Sequence, residues 1–140
     1  MSDRQPSSEN RSQSSTAPTH SLLQSALEQF HEDCRLYNAA VGSYNTHLDN
    51  HRERRALHDL PFRDPVTAHP AFDDAATGDR DGIETLLTYL VDQAHLDSQL
   101  RRHPRTFPIH REAVEHLQIA REQLLTTLED AHHHLREEDD

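Results

Sequence analysis

Thirteen histidines in 140 residues are the first place to look for chemistry, because imidazoles with carboxylates can hold zinc, nickel or iron. Two Glu-x-x-His pairs occur, Glu28 with His31 and Glu129 with His132, at the spacing with which di-iron helical bundles project their ligands inward. His47 and His51 form an i, i+4 pair, and His58 follows seven residues later. These three make up a metal-binding or metal-sensing reading that stands as the alternative for the chain. The residue after His47 is Leu48, so the His-Glu-x-x-His motif of zinc hydrolases is absent. His132, His133 and His134 form a short tract before an acidic end, a composition that binds metal without selectivity.

Arginine offers a second chemistry. Arg101, Arg102, Arg105 and Arg111 surround a proline-broken turn, and Arg52, Arg54 and Arg55 form another group. A guanidinium fork suits phosphate oxygens, so the first four residues define a third reading, a nucleic-acid-associated regulator. The net charge of −11 opposes general attraction to nucleic acid. Helix C-terminal charges that complement the dipole account for the same residues.

Catalytic motifs are missing. There is no Gly-x-Ser-x-Gly elbow, phosphate loop or dinucleotide fingerprint, and three glycines provide few backbone cradles. Cys34 is the single cysteine, which rules out an internal disulfide and cysteine-based zinc motifs. No enzyme activity, cofactor or resident metal is expected on the leading reading.

The elements that must position these residues come from a small apolar inventory. Only 33% of the chain is hydrophobic, against roughly 45–50% in ordinary globular proteins. Amphipathic helices with narrow apolar stripes fit that composition better than a sandwich or an α/β fold. The fourteen basic residues are all Arg, beside twenty-five carboxylates. That imbalance resembles the bias of salt-accumulating halophiles, whose carboxylates maintain solubility where the screening length falls to about 3 Å near 1 M salt. Protonating every histidine would carry the formal charge from −11 to +2. The start of the chain has no apolar signal-peptide core and no apolar run approaches a membrane span, so a cytoplasmic protein is expected.

Residues 1–19 are rich in Ser with two Pro and read as a disordered tail. A helical domain is expected over 20–136, with an acidic end at 137–140. Ser21 and Gln24 have capping-box spacing. Apolar residues then fall at Leu23, Leu27, Phe30, Cys34, Tyr37, Val41, Tyr44 and Leu48, alternating steps of four and three. That heptad seam predicts one long helix over about 21–60, stopped by Pro61 and weakened by Gly42 and by Asn38, Asn45 and Asn50. Residues 61–81, with three Pro and a Gly, read as a loop.

Asp81 and Glu84 repeat the capping-box spacing ahead of a second helix over 82–102, and Thr106 can cap a third over 107–136. The fold class is therefore all-α: one long heptad-patterned helix plus an antiparallel helical hairpin behind a disordered tail. On the seam register Glu28, His31, Glu129 and His132 point outward. The long seam exceeds what a short hairpin covers, so a homodimer or a helical protein partner is expected along the eight seam residues. The leading function is a non-enzymatic helical oligomerisation or adaptor protein of a halophile.

Overall fold

A computed structural model describes residues 18–51 and 61–139. The described residues are mostly helical and contain no strand. Four α-helices follow in order: α1 (Pro18–Asn50), α2 (Phe72–Ala76), α3 (Arg80–Arg101) and α4 (Thr106–Asp139), with a 3-10 turn at Val66–Ala68. α4 packs against both α1 and α3, while α2 rests on α3 and on the 3-10 turn. No helix among the described residues is long and apolar enough to cross a membrane.

α1 begins three residues before the expected start, so Ser21 lies inside it rather than at its cap. Pro18 is its first residue, where the fixed φ suits a helix start and the missing N–H costs nothing. The helix runs unbroken through Gly42 for about 50 Å at 1.5 Å per residue. It ends at Asn50, where His51 N donates to the Leu48 carbonyl in a turn. The expected continuation to residue 60, with Arg52, Arg54, Arg55 and His58, lies outside the described residues. So does the tail over 1–17, whereas Pro18 and Thr19 belong to α1.

The seam is the core of the chain. Phe30, Tyr37 and Tyr44 are fully buried, Leu23, Cys34, Val41 and Leu48 nearly so, and Leu27 packs half-buried against them. Across from the seam stand Val114, Leu117, Leu124, Leu128 and Ala131 of α4, all with no exposed surface. The seam is thus covered from within the same chain. α4, at 34 residues, is as long as α1, and the 3-10 turn and α2 of the 61–79 segment add further cover.

The expected loop over 61–81 is not structureless. Val66 and Ala75 are completely buried, and Phe72 stacks on Phe30 with ring centroids 5.8 Å apart. Two asparagines of α1 hold this segment. Asn45 Nδ2 donates to the Arg63 carbonyl and its Oδ1 accepts from Arg63 N, both at 2.8 Å. Asn38 Oδ1 accepts from Val66 N at 2.7 Å. The residues that lower the helix propensity of α1 therefore satisfy a buried, non-repetitive backbone, which would otherwise carry unpaired polar groups.

α2 turns into α3 through Gly78 at φ +90°, a conformation that favours glycine. The cap of α3 is Asp79, whose carboxylate accepts from Gly82 N at 3.0 Å; Asp81, two residues later, lies in the first turn. Gly82 is where α2 presses on α3. A Cβ there would lie 2.7 Å from Ala75 N and 2.7 Å from Asp74 Cβ. Backbone must move to admit it, so Gly82→Ala should cost about 1–3 kcal/mol in urea unfolding. Unchanged stability would show that α2 does not seat there.

Candidate functional site

Three constellations of polar side chains arise from the packing of α1, α3 and α4. The first is a buried ion triad at the centre of the bundle. Asp97 on α3 has no exposed surface; its Oδ1 accepts from Arg63 Nη2 at 2.7 Å, and its Oδ2 forms an ion pair with Arg121 Nη2 at 2.6 Å without hydrogen-bond geometry. Arg63 also donates Nη1 to Gln93 Oε1 at 3.1 Å and lies over the Tyr44 ring, 5.2 Å from its centroid. Burial pulls the Arg63 pKa down, and Asp97 with the nearby tyrosines more than restores it, so the group stays charged. Two cations thus share one carboxylate. Arg63 Nε, Arg121 Nη1 and the Tyr37 hydroxyl are buried without a hydrogen-bond acceptor.

The second constellation is a cluster of imidazoles. His47 Nε2 and His110 Nδ1 share a hydrogen bond of 2.8 Å between α1 and α4. His51 Nδ1 donates to the His47 carbonyl at 2.9 Å, and its ring centroid is 4.3 Å from that of His47 and 6.1 Å from that of His110. The structure thus joins His47 and His51 to His110; His58, the third member of the sequence-based set, falls outside the described residues. Among the described residues no three donors are arranged around a point where a metal ion would sit. The His47 and His110 nitrogens face each other instead. His110 is buried, and burial, then His47 and His51, push its pKa down to about 4.

The third is a groove on the side of the α1–α4 pair away from the triad's ion pairs. Its floor is the hydrogen bond from Thr127 Oγ1 to Asp33 Oδ2, with Gln29 Nε2 donating to Asp33 Oδ1 at 3.1 Å. Two adjoining hollows share Gln29, Thr126 and Thr127. One extends to Glu32, Leu36, Ile119 and Glu122, the other to Leu22, Glu129, Asp130 and His134. Leu22, Leu36 and Ile119 are 50%, 38% and 61% exposed, three of the six large apolar residues exposed among those described. Leu22, Gln29 and Leu36 repeat every seven residues on α1, so they form a second stripe beside the seam.

The remaining candidates are dispersed. Glu28, His31 and Glu129 are exposed, as their outward register requires. His132 bonds through Nε2 to Glu84 Oε2 of α3 at 2.7 Å, and His133 and His134 both pair with Glu137 at 3.3 Å. Arg101, Arg102, Arg105 and Arg111 are exposed at the α3–α4 turn, where Arg101 and Arg111 lie 5.8 and 5.7 Å from the Phe107 centroid. Cys34 is buried, and burial pushes its thiol up to about 12, which suppresses the thiolate needed for reaction.

Sequence periodicity missed the triad, His110 and the groove, although signals existed. Asp97 lies seven residues after Leu90, Arg121 four after Leu117 and His110 four before Val114, so each charged or polar side chain occupies a core position. The start of α4 buries Thr106, His110 and Val114, while Ile109 and Ala113 are half-buried. The groove was marked by apolar residues out of step with the seam, Leu22 and Leu36. No family model matches the chain, and no curated protein or solved structure does.

Proposed function

We propose that the chain is a non-enzymatic helical adaptor that receives a basic amphipathic helix of a partner protein in the α1–α4 groove. The observation that carries this reading is the groove itself, where Leu22, Leu36 and Ile119 stand exposed among Glu32, Glu122, Glu129 and Asp130. An apolar stripe on a neighbouring helix would cover the leucines, and arginines flanking it would meet the carboxylates. A second copy of the same face is disfavoured, because it would oppose carboxylates with carboxylates. The seam residues Leu23 through Leu48 serve the reading as scaffold rather than as contact surface. The all-Arg, carboxylate-rich composition supports a high-salt milieu in which apolar contact carries most of the affinity.

The test uses a labelled helical peptide with Leu along one stripe and Arg along its flanks, followed by fluorescence anisotropy. Binding should weaken at least about tenfold when Leu36→Glu and Ile119→Glu are combined, and when the peptide's Arg are replaced by Gln at low salt. Equal binding by the double variant overturns the proposal. Light scattering should return a single-chain mass, and mild oxidant should leave Cys34 uncrosslinked. A doubled mass abolished by the same two substitutions would assign the groove to a second copy. A Cys34 cross-link would return the interface to the seam.

A further inference from the structure

We propose that a cavity beside Arg63 binds a small organic carboxylate, a site distinct from the α1–α4 groove. The cavity measures about 240 Å³ and lies between the segment after Pro61 and the end of α3. Pro61, Leu96 and Leu100 form its apolar walls, with Gln99 and Thr106 among its polar members and Arg63 as its cation. Ligand sites are commonly built this way, from apolar walls with a few placed polar groups, and this one falls just below the roughly 300 Å³ at which drug-sized pockets begin.

The charge on the ligand follows from the triad. Asp97 is shared by Arg63 and Arg121, so one buried positive charge has no carboxylate of its own. The tyrosines do not supply the missing anion, because burial pushes Tyr37 up to about 12 and raises Tyr44 as well. Of the Arg63 donors, Nη2 is used by Asp97 and one Nη1 N–H by Gln93, which leaves the second Nη1 N–H for an anion, while Nε is closed to solvent. Arg63 itself is only 8% exposed, and a buried cation with an unused donor carries a desolvation cost that an arriving anion removes. A monoanion matches the single surplus charge. Its organic part fills the space between Leu96 and Leu100, which a bare inorganic ion would leave unfilled.

Isothermal calorimetry with sodium benzoate, on the full chain at constant sodium chloride, tests the site. One equivalent should bind saturably within the millimolar range, and benzamide, its uncharged analogue, should bind at least about tenfold more weakly. Leu96→Trp places a larger ring on a wall residue that is 44% exposed, so the fold should tolerate it while benzoate affinity falls about tenfold or more. Arg63→Gln, provided its helical circular dichroism is retained, should abolish binding. The proposal is overturned by the absence of saturable heat, by benzamide binding as tightly as benzoate, or by unchanged affinity in Leu96→Trp. Full displacement of benzoate by equimolar chloride would overturn it in favour of an inorganic ion.

Discussion

Asp97→Asn is expected to cost about 3–5 kcal/mol, a large fraction of the stability of a small domain whose total is about 5–15 kcal/mol. Asp97 is the partner of two guanidiniums that are 7% and 3% exposed. An amide at this position keeps the shape and removes the charge. Both cations then remain in a low-dielectric interior without compensation, a state far more costly than the loss of a surface ion pair. The measurement is urea unfolding at neutral pH and fixed salt, read by circular dichroism.

A second variant separates the cost of an orphaned charge from the worth of the ion pairs. Replacing Arg63, Asp97 and Arg121 together by Met, Leu and Met removes every buried charge and leaves apolar volume in their place. Buried ion clusters replaced in this way are often neutral or stabilising, so the triple variant should be more stable than Asp97→Asn. If both lose equal stability, the triad contributes through the ion pairs themselves. If Asp97→Asn costs under about 1 kcal/mol, the guanidiniums are not as dry as their burial implies.

The contrast between α1 and its surroundings explains how much of this arrangement the sequence reveals. Leu23 to Leu48 keeps step for eight positions, and such a run can only be an amphipathic helix, so α1 is legible without coordinates. What covers the stripe is not legible, because the same pattern serves a dimer or a long intramolecular partner. α4 turned out to be that partner; its expected span of 107–136 lies close to the observed Thr106 to Asp139, but nothing in its own pattern said that it would face the seam. The 61–79 segment was opaque for a different reason. It is held by side-chain amides from Asn38 and Asn45, and such long-range contacts leave no local periodicity.

The same distinction applies to the functional residues. Asp97, Arg121 and His110 occupy core positions of their helices, a local conflict between residue type and register that can be seen in sequence and that marks a specific buried partner. Arg63 has no such marker, since nothing in Pro61-Phe62-Arg63 announces burial. His47 and His51 lie side by side, as i, i+4 spacing on one helix dictates, but the third imidazole comes from sixty-three residues away on the chain. Helical spacing identifies neighbours on one helix and is silent about the facing one.

Acid is expected to weaken the fold through His110 between pH 6.5 and about 4. In the native state its pKa is about 4 because burial, and then the facing His47 and His51, disfavour its cation; the ordinary value is 6.5. The His47 pKa is lowered too, by burial and then by His51, while the Ile109 carbonyl and Glu112 pull it in the opposite direction. As pH falls below 6.5 the unfolded chain takes up a proton that native His110 refuses. The stabilisation is therefore complete above 6.5, declines as pH falls, and is fully lost below about 4, a change of about 3 kcal/mol. Protonation of both His47 and His110 would also turn the 2.8 Å contact into two donors facing each other. The urea midpoint measured at intervals between pH 8 and pH 4 tests this against His110→Asn, whose amide can replace Nδ1 as a partner for His47 but does not titrate. Carboxylates contribute equally to both proteins, so the difference between the curves isolates the imidazole. The variant should match or fall slightly below the parent at pH 8 and exceed it at pH 4; parallel curves would mean that His110 is as free to protonate in the native chain as in the unfolded one.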